Sequence, residues 1–512
     1  MVSIRNLQKE KSARSTRTGL RPDIWSNPKP AQQYDLVILG AGPVGLTAAN
    51  EAAQLGAKVA LIERNFLGGS CLNTGCVPSK TIIRTSRLYA EMRNAEKFGA
   101  AVPAQINVDF GAAMERVRQI RTRIGREYSA NALSAHGVDV FFGTASFATT
   151  NSVVVGDDIL CFKKALIATG GRPKIPPIPG LVDGGYLTNE TVFDLTERPS
   201  QLLVIGGGPL GCELSQAFCR LGSRVTIVQN EPMFLGNEER DAAQILSDAL
   251  ARDGIDIHLN TETVAVRTQG ANKLVDLVRE GITNTVVVDE ILVGVGQRPN
   301  LEMLKLDSIG VDYDLDEGIR VNDFLQTTNS HIYAAGDVCE KRKFTHFEGA
   351  SAHIVVQNAL QSARKRVSAL TVPWCTYTDP EIAHVGMYVR EARERNISIK
   401  TFTVPMHQVH RAICDGEEEG FVKIHVKEGS DRILGATVVG SHAGEMINDI
   451  TLAIAAGIGL EKLGRIIRPY PTQAAAIQMA AYAYRPTRGL WDIGFFPRSW
   501  LSGSVCPTRW RS

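Results

Sequence analysis

No stretch of the 512-residue chain is apolar for long enough to cross a bilayer as a helix, which takes about 20 residues, so no transmembrane segment is expected. Net charge is also scarce, at +2 overall. The positive excess sits at the ends. Residues 1–30 hold seven Lys/Arg against Glu10 and Asp23, and residues 485–512 hold five Arg against Asp492, which leaves the body near −7. That balance argues against a nucleic-acid surface on the folded part. Cysteine is sparse, nine in all. Cys161, Cys212, Cys219, Cys339, Cys375, Cys414 and Cys506 stand apart and supply no second knuckle for a zinc site. Isolated thiols in odd number suit a reducing compartment, and the expected location is cytoplasmic.

The exception is residues 68–80, Gly-Gly-Ser-Cys-Leu-Asn-Thr-Gly-Cys-Val-Pro-Ser-Lys, where Cys71 and Cys76 lie five positions apart. Thiols this close form a small-loop disulfide that opens easily and so serves chemistry better than structure. Pro78 suits a first helical turn, which puts Cys76 near a helix N-terminus that favours thiolate. The plain alternatives are a chance pair of buried cysteines and half of a zinc site.

A second signal is an internal repeat. Ile38-Leu-Gly40-Ala-Gly42-Pro-Val-Gly45 and Val204-Ile-Gly206-Gly-Gly208-Pro-Leu-Gly211 each follow an apolar run and open a helix-like stretch, and the copies align without a gap to Val59–Glu63 and Val225–Gln229. In each copy the first Gly makes the tight turn, the second admits a pyrophosphate and the third packs helix on strand. The phosphates then rest on a helix N-terminus, so two dinucleotides are expected. Glu63 can accept from a ribose 2′-hydroxyl. Gln229 at the matching place neither repels a 2′-phosphate nor is followed closely by an Arg to grip one, which leaves NADH and NADPH both open.

Residues 138–170 alternate like strands with turns at Gly143 and Gly156, ending in Ala165-Leu-Ile-Ala-Thr-Gly170. Four prolines, Pro173, Pro176, Pro177 and Pro179, mark a linker. A matching run, Glu290–Asn300, carries Gly296. The strand-like Thr328–Gly336 delivers Asp337 at its C-terminal end, where open α/β sheets bind ligands; an Asp in a surface turn is the alternative. The first thirty residues read as a disordered extension or, failing that, a transit peptide. The Arg- and aromatic-rich end reads as a loose tail with a capacity to touch a membrane surface.

On these motifs the chain resembles the flavin-dependent pyridine nucleotide–disulfide oxidoreductases, which include glutathione reductase, dihydrolipoamide dehydrogenase and mercuric reductase. The match runs from about Tyr34 to Tyr484. The resemblance implies an α/β fold with two Rossmann-like domains, for FAD and NAD(P), plus a C-terminal α+β dimerisation domain and a homodimer. The implied layout is an extension at 1–33, an FAD domain at 34–185 and 300–372, an NAD(P) domain at 186–299, a dimerisation domain at 373–485 and a tail at 486–512. It implies FAD on Gly40, Gly42, Gly45, Glu63, Ser70, Lys80, Ala145, Gly170, Asp337 and Thr345, and NADPH or NADH on Gly206, Gly208, Gly211, Gln229 and Gly296. By the same likeness Cys76 is the thiol beside the flavin, Cys71 is the exchanging thiol, Lys80 favours negative charge near Cys76, and Glu213 partners Lys80.

One segment departs from the family. Disulfide and lipoamide enzymes carry His-Pro-Thr followed closely by Glu, an acid/base pair lent by the partner subunit to protonate a leaving thiolate. Here Tyr470 stands for the His and Ala475 for the Glu, and no His follows His442. An unperturbed Tyr, with a pKa of about 10, shuttles protons poorly at neutral pH. A soft metal ion held by Cys71 and Cys76 needs no such proton, and mercuric reductases resemble this chain in having Tyr there. The chain lacks the N-terminal Cys-x-x-Cys domain and the C-terminal cysteine pair of well-studied mercuric reductases. The expectation is therefore an NAD(P)H-dependent, mercuric-reductase-like enzyme. A lipoamide or glutathione reductase, or a redox-sensing flavoprotein with little turnover, stand as alternatives. His407, His410 and Cys414 share a helical face and read as interface residues or, less simply, an auxiliary metal site.

Overall fold

The computed structural model describes residues 20–22, 24–340 and 343–484. They divide into two compact units: the described residues of 1–206, 220–228 and 262–369, and those of 207–219, 229–261 and 370–512.

In the first unit, Tyr34–Leu39 and Val59–Glu63 are buried along nearly their whole length, the mark of parallel strands covered on both faces. The sheet runs Val138–Phe142, Val59–Glu63, Tyr34–Leu39, Asp158–Ile167, all parallel, with Ile332–Ala334 parallel to the last. The start of the ten-residue Asp158–Ile167 also pairs antiparallel with Ser152–Val155, which pairs with Ala145–Thr149. The alternation expected across 138–170 is thus four strands. Pro43 opens the helix Pro43–Gln54, where its missing N–H is no loss. A second parallel set places Gln201–Ile205 between Arg224–Val228 and Glu290–Val293, and a three-stranded meander spans 262–288. The short strands Gly171–Pro173 and Gln297–Pro299 pair antiparallel, joining the two Gly-x-Arg-Pro-like runs.

The second unit is built on a five-stranded antiparallel sheet, ordered Pro373–Thr376, Glu381–Gly386, Ile433–Gly440, Phe421–Lys427, Ile399–Pro405. Helices Ala443–Ala455 and Ala475–Tyr484 close its core through Ile447, Ile450, Ile477 and Ala480. The α/β class with an α+β C-terminal part therefore holds. No described helix is long and apolar enough to cross a membrane.

The structure corrects the reading of the N-terminal extension as disordered throughout. Trp25 Nε1 donates to Val140 O (3.2 Å), while Asn27 donates to Phe142 O (3.2 Å) and accepts from Phe142 N (2.8 Å). Asn27 thus extends the open edge of the sheet with side-chain amide bonds, and Leu20 is buried. Composition is blind to such bonds. Residues 1–19 and 485–512, with the transit-peptide and membrane-tail readings and Cys506, lie outside the described residues.

Candidate active site

The glycine turns are where the backbone constrains the site most. At Gly40 (φ +104°) a Cβ would lie 2.3 Å from Ala168 O, and at Gly45 one would lie 1.9 Å from Gly40 O, so the protein itself forbids side chains there. Gly42 is different: its Cβ would meet nothing nearer than 3.8 Å. The second turn repeats this division. Gly206 (φ +112°) would put a Cβ 2.5 Å from Gly294 O, whereas Gly208 has nothing within 4 Å. In both copies the middle glycine is not demanded by the fold, and space is kept where a pyrophosphate approaches.

The carboxylate and the amide that end the two copies of the repeat are placed alike. Glu63 Oε2 accepts from Ala41 N (2.9 Å), just after Gly40, and Oε1 accepts from Asn65 N (2.7 Å). Burial pushes the Glu63 carboxyl up, while these two amides pull it down. Gln229 Oε1 likewise accepts from Gly207 N at 2.9 Å, just after Gly206. Gly296 has φ +102° and its carbonyl accepts from Lys174 N at 2.9 Å.

A cavity of about 420 Å³ is lined by Gly40, Gly42, Glu63, Ser70, Ala145 and Asp337, and Gly170 borders it as well. Asp337, at the end of Ile332–Ala334, is buried, and its Oδ1 has no hydrogen-bond partner. An orphaned buried acceptor on the cavity wall fits a ligand hydroxyl. Together with the space at Gly42 it means the residues present fit FAD.

The thiols lie alongside. Cys71 belongs to the short helix Gly69–Asn73, and Cys76 is the first residue of the helix Cys76–Arg93. The connection is pinned from inside. Asn73 Nδ2 donates to Leu67 O (3.0 Å) and Gly69 O (2.9 Å), and the fully buried Arg121 donates to Asn73 O (3.2 Å). Neither sulfur is joined in a disulfide, and the same holds for all eight described cysteines. Cys71 hydrogen-bonds to Cys76, and this bond first, then burial, pushes the Cys71 thiol far up. Cys76 lies at the N-terminus of its helix, a place that favours thiolate. Thr345, first residue of the helix Thr345–Leu360, sits with its hydroxyl 3.3 Å from Cys76 Sγ. Lys80 is one turn along from Cys76.

In the second unit, Glu213 is buried and accepts from Tyr377 N at 2.8 Å. Gly208 and Gly211 open the helix Pro209–Arg220. Tyr470 is exposed, and its hydroxyl is 2.8 Å from His410 Nδ1, the rings edge-on. Among the described residues no three His, Cys, Asp or Glu side chains are grouped to hold a metal ion, which overturns the auxiliary metal reading of His407, His410 and Cys414.

One residue of the cavity escaped the sequence, Glu348, in the first turn of Thr345–Leu360, which lines the cavity. It belongs to no motif. His410 was singled out as an interface or metal residue, and its place beside the Tyr470 hydroxyl was not foreseen.

Residues 34–363 match the family of pyridine nucleotide-disulphide oxidoreductases, and residues 372–481 match that family's dimerisation domain. The chain belongs to this family, whose members use FAD and NAD(P)H. A mercuric reductase of Staphylococcus aureus is 33% identical over 88% of this chain and 82% of the relative. A dihydrolipoyl dehydrogenase of Thermus scotoductus is 34% identical over 88% of this chain and 97% of the relative. Among solved structures, the HOCl-induced flavoprotein disulfide reductase RclA of Escherichia coli superposes with a TM-score of 0.79 at 28% identity, covering 88% of this chain and all of RclA. RclA has also been solved as a Cu(II) complex.

Proposed function

We propose that this flavoprotein oxidoreductase uses NADPH or NADH to reduce a soft metal ion such as Hg(II), delivered bound to small thiols, through the redox pair Cys71–Cys76. The observation that carries the reading is a thiolate-forming pair in a chain that has Tyr470 and Ala475 where disulfide and lipoamide reductases keep an acid/base pair. Two adjacent sulfurs, one at a helix N-terminus that favours thiolate, capture a soft cation by exchange with its thiol carriers, and no leaving thiolate waits for a proton. The mercuric-reductase relatives and the copper-bound RclA support a metal acceptor.

FAD, when bound, carries the electron pair from the nicotinamide to the disulfide. The chain's own residues do the rest. Gly42 leaves room for its pyrophosphate, Glu63 and Asp337 accept from its hydroxyls, and Ser70, Ala145, Gly170 and Thr345 line its bed. Gly206, Gly208, Gly211, Gln229 and Gly296 take the nicotinamide dinucleotide. Thr345 donates to the Cys76 thiolate, Cys71 exchanges with the incoming carrier thiol, and Lys80 favours the negative charge. The working form is a homodimer in the cytoplasm. Support for the dimer comes from exposed Leu452, Ile466 and Ile467, which flank an apolar hollow of about 380 Å³.

One observation favours reduction of lipoamide or glutathione disulfide instead. His410 beside the Tyr470 hydroxyl gives that phenol a proton partner. Anaerobic NADPH or NADH oxidation separates the two readings. Thiol-dependent turnover with Hg(II), abolished in Cys71→Ser and Cys76→Ser, is expected. Brisk turnover of lipoamide or glutathione disulfide with none for Hg(II) would overturn the metal reading.

A further inference from the structure

A strap of residues 20–22 and 24–27 holds two of the segments that line the cavity, and the reaction described above gives it no part. Arg64, Asn65 and Phe66 line the cavity from one segment, and Gly143 and Ala145 line it from the other. Arg21 Nη1 donates to Arg64 O at 3.0 Å, and Leu20 O accepts from Leu67 N at 3.0 Å. Asn27 takes both backbone groups of Phe142, next to Gly143. The Leu20 side chain is buried, and Gly125 gives it room, since a Cβ at Gly125 would lie 2.9 Å from Leu20 Cδ2. Gly125 ends the helix Phe110–Gly125, whose Arg121 donates to Asn73 O in the cysteine loop.

Glu63 lies between the two held segments. The peptide group joining Arg64 to Asn65 is gripped at both ends: Arg21 donates to its carbonyl, and its N–H donates to Glu63 Oε1 at 2.7 Å. Hydrogen bonds in such a chain polarise one another, so the Arg21 guanidinium strengthens the hold on the Glu63 carboxylate. The Glu63 carbonyl accepts from Gly143 N at 2.9 Å, one residue past the Phe142 that Asn27 holds. A second peptide group, Leu67–Gly68, joins the glycine turn to the cysteine loop. Gly68 N donates to Ala41 O at 2.9 Å, and Asn73 Nδ2 donates to Leu67 O at 3.0 Å. Leu67 is fully buried, so loss of Leu20 O would leave a buried N–H unpaired.

We propose that this strap is a positioning part of the FAD site, with Leu20 and Arg21 as its positioning residues. The proposal rests on the reading of Glu63 and the cavity as the seat of FAD. Both residues act through the segment Arg64–Leu67. Arg21 sets the peptide group that orients Glu63. Leu20 sets Leu67, whose carbonyl and following amide tie the glycine turn to the loop that carries Cys71. A ribose hydroxyl donating to Glu63 then meets a carboxylate already held in place, which spares the ordering that binding would otherwise cost. The family match begins at residue 34, so the strap is a segment outside that match which completes a site within it.

The test is the FAD dissociation constant of the full-length holoenzyme, read from flavin released on dilution, in wild type and a Leu20→Ala, Arg21→Ala double variant. The double variant is expected to bind FAD about tenfold more weakly, the scale of one or two lost hydrogen bonds. Leu20→Met, which keeps the buried volume, should bind FAD as the wild type does. Val275→Ala opens the core that the three-stranded meander shares with Gln201–Ile205, and it should lower stability while keeping FAD. A constant for the double variant within about twofold of wild type, less than one hydrogen bond's worth, would overturn the proposal whatever the loss of stability. Equal loss of FAD from Val275→Ala would overturn it too, since any destabilisation would then release the cofactor. If the double variant fails to fold, Arg21→Ala alone decides by the same measure, because Arg21 is exposed. FAD release is read without thiol or acceptor, so a wild type that fails to reduce Hg(II) sinks the proposed function and leaves this result to decide the strap.

Discussion

At Gly42 and Gly45 the same residue type does two different jobs. Gly45 is fixed by the fold, because a Cβ there would enter the Gly40 carbonyl, while at Gly42 a Cβ would meet nothing nearer than 3.8 Å, leaving the space that the proposed FAD pyrophosphate needs. Gly45→Ala is therefore expected to destabilise the FAD-free protein by about 1–3 kcal/mol, as overpacking does, and to lose FAD. Gly42→Ala should leave urea unfolding of the FAD-free protein unchanged while lowering FAD content after purification. Equal destabilisation by both would contradict the division. These glycines were legible because a glycine turn writes its backbone needs directly into sequence. Glu63 and Gln229 were legible by their spacing from the turns, and their matched bonds to Ala41 N and Gly207 N show why the spacing holds. Glu348 was not legible. It lines the cavity from a helix that no glycine turn or spacing marks.

Strands and helices were legible to different degrees. The alternation across 138–170 foretold strands with turns at Gly143 and Gly156, but not the further turn before Ser152 that makes them four. The Cys76–Arg93 helix announced only its start, through Pro78. The N-terminal strap was misread because its hold is made by two side chains, Trp25 and Asn27, and not by periodic burial. Asn27→Ala removes both the donor to Phe142 O and the acceptor for Phe142 N. A loss of about 1–3 kcal/mol is expected, at roughly 1 kcal/mol per hydrogen bond plus the cost of an unpaired backbone group. Chemical denaturation of the wild type and the variant checks this.

For the whole molecule, pH and assembly give further checks. His384 lies fully buried against Tyr388, its Nδ1 2.8 Å from Thr437 Oγ1, and burial lowers its pKa to about 3. A folded-state pKa below the unfolded value of about 6.5 means the unfolded chain binds the extra proton. Stability is therefore unaffected above about pH 6.5 and falls as pH drops towards 3, by up to about 1.4 kcal/mol per pH unit from this residue. His384→Gln, measured by denaturation at several pH values, should show a shallower acid loss. The exposed Leu452 and Ile467 predict that a Leu452→Glu, Ile467→Glu double variant sediments as a monomer while the parent sediments as a dimer. The acceptor was the least legible feature of the chain, because it depends on how the Tyr470 segment meets a second subunit and a substrate.

The most direct measurement of the central claim is a thiol count on the denatured protein before and after anaerobic reduction with one equivalent of NADPH or NADH. The account predicts two additional titratable thiols per chain, and none in Cys71→Ser or Cys76→Ser. An unchanged count, with nicotinamide oxidised and FAD present, would show that electrons do not reach Cys71–Cys76 and would contradict it.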